Sequence, residues 1–94
     1  LRLSPLTGNS TWNGQEIKCT LTQMRLLVML AKNSPNHVAI GKLKKALPTL
    51  NPTTEAVAVH IAELRKEFRR LAPDESSLPI KTRPGGGGYS WDEG

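Results

Sequence analysis

The stretch "TTEAVAVHIAELRKEF", Thr53 to Phe68, decides the fold. Val57, Ile61, Leu64 and Phe68 recur at alternating spacings of four and three, which places four apolar side chains on one stripe of a helix. Thr53 or Thr54 stands where an N-cap hydroxyl can accept from the first unpaired amides, and the pattern carries the helix to about Leu71. The stripe needs a core to pack against, so the flanking segments must supply one. Turning 100° per residue from the stripe, the opposite face presents Glu55, Val59, Ala62, Lys66 and Arg70, with Glu63 on one flank and Arg69 on the other.

Upstream, "LRLSPLTGNSTWNGQEIKC" (residues 1–19) mixes short apolar pieces with turn signals at Pro5, Gly8-Asn9 and Asn13-Gly14. The last is a strong two-residue hairpin signal, so a small antiparallel sheet is expected. Thr20 caps the next helix, with Gln23 three residues on completing a capping-box pattern, and Met24, Leu27, Val28, Leu30 and Ala31 form its core stripe. "NSPN" after Lys32 stops that helix. A second, shorter helix is expected from about Ile40 to Leu47, with Leu43, Ala46 and Leu47 inward, Lys42, Lys44 and Lys45 outward, and Pro48 ending it. After the third helix and the polar loop "APDESSLP", "IKTRPGGGGYSW" reads as two extended pieces around four glycines, a β-hairpin at 80–91 with a flexible tip. The 94 residues suit one domain with one modest core.

The formal net charge of +5 and pI of about 9.8 favour a partner with negative charge. Between Ile40 and Arg83 there are nine Lys or Arg against five Asp or Glu, so the excess is concentrated around the second and third helices. A helix in a DNA major groove can set small apolar side chains such as Val59 and Ala62 against thymine methyls and a Glu against a cytosine amino group. From the residues alone, Val59 and Ala62 are equally well scattered surface apolars on a solvated helix.

Other chemistries find little support. His37, His60 and the single Cys19 give no zinc spacing, so no metal and no cofactor is expected. "PGGGGY" lacks the Lys-Ser/Thr of a phosphate loop and precedes a strand, not a helix. The pair Asp74-Glu75 sits in a loop among serines and reads as a solubility feature; no enzymatic activity is expected. Cys19 cannot form an internal disulfide and reads as a reduced core thiol, which places the chain in the cytoplasm. No apolar run approaches a membrane span and no signal peptide opens the chain, so no membrane partner is expected. The chain opens on Leu1 in place of Met, as a fragment of a longer regulator would.

The segments "NGQEIKCT", "LTQMRLLVML", "VAVHIAELRKEF" and "IKTRPGGGGYSW" together resemble the C-terminal DNA-binding (effector) domain of OmpR/PhoB-type response regulators of two-component systems. The most specific matches are Val57, Val59, His60, Ile61, Leu64, Arg65 and Lys66, followed by Lys81-Thr82 and Gly86-x-Gly88-Tyr89. The resemblance implies an α+β fold, a winged helix-turn-helix with an N-terminal antiparallel sheet, three helices at 20–71 and a C-terminal wing. It implies contacts to double-stranded DNA from Thr54, Glu55, Val59, His60, Ala62, Glu63, Arg65, Lys66, Arg69 and Arg70 of the third helix and from Lys81 and Arg83 of the wing. Within that set His60 matches a backbone-contact position, Arg65 divides between a phosphate contact and a salt bridge inside the domain, and Lys81 and Arg83 begin a wing that reaches backbone or minor groove.

The chain departs from the family's pattern in places. Typical members carry arginines or other polar groups where Glu55, Ala62 and Glu63 stand, and one arginine directly before the Gly-x-Gly-Tyr, where Gly85 stands. The loop between second and third helices, through which RNA polymerase is often contacted in the family, is short, and a tryptophan often found near the end of the second helix is missing. Family members usually bind as homodimers on paired half-sites. Two functions stay open: a sequence-specific DNA-binding module of a transcription regulator, and a winged-helix protein-interaction module with little DNA affinity.

Overall fold

The computed structural model describes residues 1–3, 10–74 and 78–92. The turn signals at Pro5 and Gly8-Asn9, and Glu75 of the acidic pair, lie outside the described residues. β1 (Thr11–Trp12) pairs antiparallel with β2 (Gln15–Glu16), Thr11 opposite Glu16 and Trp12 opposite Gln15. The turn needs two consecutive left-handed residues to match the twist of its strands, and Asn13 (φ 52°) and Gly14 (φ 78°) supply them. Arg2 bridges Thr11 through reciprocal backbone bonds of 2.8 Å, which makes the N-terminal sheet wider than the hairpin alone.

α1 (Leu21–Asn33) starts at the expected capping box, with Thr20 Oγ1 accepting from Gln23 N–H and Gln23 Oε1 accepting from Thr20 N–H. Its buried residues are Gln23, Met24, Leu26, Leu27 and Leu30. The expected stripe included Val28 and Ala31, which are only half-buried, and omitted Leu26, which is fully buried. The reason is that α1 is packed by α3 and also by the wing sheet, so its buried arc is broader than a single-partner stripe and rotated from it. At its end, Ser34 donates from Oγ to the Trp91 carbonyl at 2.7 Å.

β3 (Val38–Ala39) was not expected from the sequence. It joins β4 (Ile80–Thr82) and β5 (Gly88–Trp91) in an antiparallel sheet of order β3-β5-β4, with Val38 opposite Tyr89 and Ala39 opposite Gly88. A Cβ built on Gly88 would lie 2.2 Å from the Val38 carbonyl oxygen, so glycine is what lets β3 approach. The second helix is shorter than the expected span to Leu47: α2 covers Ile40–Leu43 and the chain tightens into a 3-10 turn at Lys44–Ala46. Pro48 explains why helical turns stop at Ala46, because the residue before a proline is pushed out of the α region, and Leu47 is extended (φ −81°, ψ 134°). Leu43 and Leu47 are buried, Ala46 and Lys44 half-buried, and Lys42 and Lys45 exposed.

α3 (Thr54–Leu71) is capped by Thr53 Oγ1, which accepts from Ala56 N–H at 3.1 Å, and it buries the four stripe residues Val57, Ile61, Leu64 and Phe68. Phe68 stands edge-on between Trp12 of β1 (centroids 5.0 Å) and Trp91 of β5 (5.3 Å). One ring at the end of α3 therefore joins the N-terminal hairpin and the wing. Burying the stripe against α1 and α2, with Phe68 reaching the two sheets, leaves the opposite face of α3 outward.

Candidate nucleic-acid interface

On the outward face of α3, Thr54, Glu55, Val59, Ala62, Lys66 and Arg69 are all exposed, and Val59 retains 56% of its surface. Lys66 and Arg69 have no ion-pair partner among the described residues. The face is a small apolar centre rimmed by an acid at the helix start and two cations toward its end.

Several of the other expected contacts are engaged by partners in the fold. Arg65 is half-buried and ties α3 to the wing: Nε and Nη2 donate to the Ile80 carbonyl (3.3 and 3.2 Å) and Nη2 donates to Thr82 Oγ1 (2.6 Å). Its guanidinium also lies 5.5 Å from the Tyr89 ring centre. It forms no ion pair among the described residues, and its donors are engaged by the wing. Arg70 grips Glu67 bidentately (2.7 and 2.9 Å) while its side chain stays 52% exposed. Glu67 also accepts from the Lys18 backbone N–H, clamping the chain entering α1 onto α3. The Arg70 hydrogen bond, seconded by the Lys18 N–H, holds the Glu67 carboxyl below its ordinary range against the opposing effect of burial. Cys19, half-buried beside it, has its thiol pushed up first by burial and then by the Glu67 charge, so it is a poor nucleophile, as expected of a core thiol.

Glu63 is exposed but not solitary. Gln23 Nε2 donates to Glu63 Oε2 and lies 3.4 Å from His60 Nδ1, so Glu63 and the half-buried His60 share one amide from α1. Neither Glu67 nor Gln23 was singled out for the site from sequence. Gln23 was recognisable only as a cap, and the i, i+3 spacing of Glu67 and Arg70 was the available sign of their pairing.

In the wing, Arg83 is exposed at the start of the glycine turn, where Arg83 N–H donates to the Gly88 carbonyl and Gly86 N–H to the Arg83 carbonyl, both at 2.9 Å. Gly85 (φ 89°) and Gly86 (φ 77°) take conformations that side chains disfavour. A Cβ at Gly87 would touch the Arg83 side chain at 3.5 Å, so the arginine stem folds along the glycine backbone. Lys81 is half-buried on β4. Among the described residues no three His, Cys, Asp or Glu side chains gather as a metal site, and no helix is long and apolar enough to cross a membrane.

Residues 14–90 match the sequence profile of the family described as "Transcriptional regulatory protein, C terminal". Among solved structures the fold is similar to the DNA-binding domain of CadC from E. coli, at 25% identity and TM-score 0.76, covering 93% of this chain and 80% of that one. It is also similar to the DNA-binding domain of CpxR from E. coli, at 28% identity and TM-score 0.73, covering 96% and 87%. None of the curated proteins matches the chain significantly by sequence. The family is one of transcription-regulator domains and not an enzyme class. With the profile running from the hairpin turn to the last strand, and two winged DNA-binding domains superposing over more than nine-tenths of its length, the chain belongs to the OmpR/PhoB-type family of transcriptional regulatory protein C-terminal domains.

Proposed function

We propose that the chain is the sequence-specific double-stranded DNA-binding domain of a transcription regulator, with α3 in the major groove and the wing on the adjoining backbone or minor groove. The observation that carries this is the outward face of α3, where Val59 and Ala62 lie open at the centre and Lys66 and Arg69 stand exposed at one end with no ion-pair partner among the described residues. An α helix fits the width of the major groove, small apolar side chains can meet thymine methyls, and rim cations neutralise phosphates without naming bases. Lys42 and Lys45 on the outer side of the second-helix region and Arg83 in the wing are exposed cations that supply further phosphate contacts. In this proposal Arg65 and Arg70, engaged by the wing and by Glu67, serve chiefly to hold the frame.

About five phosphates neutralised by these groups give a slope of log affinity against log salt of about −4 to −5. Pairing on two half-sites as a homodimer belongs to the same proposal, as does placement in a regulator of the cytoplasm. The competing protein-interaction module is favoured by Leu50, which is 98% exposed in the loop between the second and third helices. Selection of binding sequences from a random duplex pool separates the two. A DNA module enriches a shared site, and the spacing of its repeats reports dimer geometry; an interaction module enriches none.

A further inference from the structure

Gln23 is nine-tenths buried at the start of α1, only 4% exposed, and its carboxamide is committed on both sides. Oε1 accepts from the Thr20 backbone N–H at 3.0 Å, which completes the helix cap. That N–H can only donate, so the amide oxygen must face it and the NH2 group must turn toward α3. There it meets Glu63 Oε2 and His60 Nδ1. Both must accept. A carboxylate does so in its ionised form, and a neutral imidazole accepts at Nδ1 only when its proton sits on Nε2.

We propose that Gln23 is a positioning residue for the DNA-reading face, one that uses the helix cap of α1 to fix the orientation of Glu63 and the tautomer of His60. Held by Oε2 against α1, Glu63 has Oε1 left to accept from a base amino group, and cytosine N4 suits a carboxylate better than adenine N6, whose neighbouring N7 repels it. His60, fixed as the Nε2–H form, presents a donor suited to a phosphate oxygen. A side chain that touches no DNA therefore sets which base one position prefers. The inference rests on the major-groove reading of α3 for its DNA consequence, but the tautomer it demands is a property of the protein alone.

Two variants separate positioning from folding. Gln23→Glu keeps a capping-box side chain, so α1 stays capped, while the acceptor now facing α3 draws a proton onto His60 Nδ1 and repels Glu63. Gln23→Met fills similar volume and offers no donor. Nitrogen-15 NMR of the histidine ring in the free protein is expected to show the Nε2–H tautomer in the parent, loss of that form in Gln23→Glu, and a mixture in Gln23→Met, with backbone shifts of α1 unchanged in Gln23→Glu. A parent His60 in the Nδ1–H form, or a tautomer indifferent to Gln23→Glu, overturns the proposal.

On the enriched duplex and its single-base variants, the preference attributed to Glu63, about 5- to 150-fold, is expected to vanish alike in Glu63→Ala, in Gln23→Met and in the double variant. Retention of the preference in Gln23→Met while Glu63→Ala abolishes it also overturns the proposal. If Glu63→Ala itself leaves every preference intact, the base contact assigned to Glu63 fails, and the tautomer alone upholds or refutes the positioning role.

Discussion

Replacing Arg65 by alanine tests whether this arginine serves the wing or the DNA. Its guanidinium donates to the Ile80 carbonyl through two nitrogens and to Thr82 Oγ1, and lies 5.5 Å from the Tyr89 ring centre. Hydrogen bonds from a charged donor contribute about 1.5–3 kcal/mol, and a half-exposed cation over an aromatic face about 0.5–1 kcal/mol. Since the side chain is only half-buried, solvent recovers part of this on truncation, and a net loss of about 2 kcal/mol is the reasonable expectation. For a domain of this size that lowers Tm by about 8–16 °C. Arg65→Lys recovers little, because an ammonium cannot reproduce the planar fork. In DNA binding the variant is expected to lose affinity through a displaced wing while the salt slope stays nearly constant, since the charge was never placed on a phosphate. Thermal unfolding followed by circular dichroism, with fluorescence anisotropy over a salt series, measures both quantities. An unchanged Tm together with a salt slope reduced by about one unit would show a phosphate contact and refute the clamp.

The remaining expectations follow from the same geometry. Lys66→Ala weakens binding to every sequence alike and lowers the salt slope by about one unit, measured on the enriched site and its single-base variants. Arg83→Ala weakens binding without changing the preferred major-groove bases; unchanged affinity in a gel-shift assay would mean the glycine hairpin does not hold the duplex. Glu67→Gln is expected to cost about 1–2 kcal/mol near neutral pH, through the Lys18 N–H and Arg70 together. Because the folded carboxyl lies below its ordinary value, that stability is present above the unfolded value of about 4.3 and disappears as pH falls through the lower folded one. Urea titrations of parent and variant should therefore converge in acid. Phe68→Ala removes a fully buried ring and two edge-on contacts, at a cost of about 3–5 kcal/mol by the same titration, loosening hairpin and wing together.

Local signals were legible wherever one short stretch carried the whole cause. Asn13-Gly14 makes its turn because both residues tolerate left-handed φ, Thr20 and Gln23 cap each other within one helical turn, and the α3 stripe needs only its own period. The α+β winged order followed from the succession of such signals. β3 escaped notice because two residues carry no period, and Val38–Ala39 is a strand only because Gly88 of β5, distant in sequence, lets it dock. Leu26 is fully buried in a helix that contacts both α3 and the wing sheet, a wider buried arc than a single-face stripe provides.

The candidate site divided in the same way. Outward exposure of Thr54, Glu55, Val59, Ala62, Lys66 and Arg69 followed from turning away from the buried stripe. The occupancy of Arg65 and Glu63 did not, because their partners lie 15 or more residues away, at Ile80, Thr82 and Gln23. The Arg70–Glu67 pair lies within one helical turn, where a local i, i+3 rule reaches it.

The central claim, that the outward face of α3 and the wing turn meet DNA, is tested most directly by titrating the nitrogen-15-labelled protein with its enriched duplex and following backbone amide shifts. The account predicts the largest changes at Glu55, Val59, Ala62, Lys66 and Arg69 and at Arg83 to Gly87, with the N-terminal hairpin at Thr11–Glu16 nearly still. Changes confined to the Leu50 loop or the N-terminal hairpin, with α3 unmoved, would contradict it.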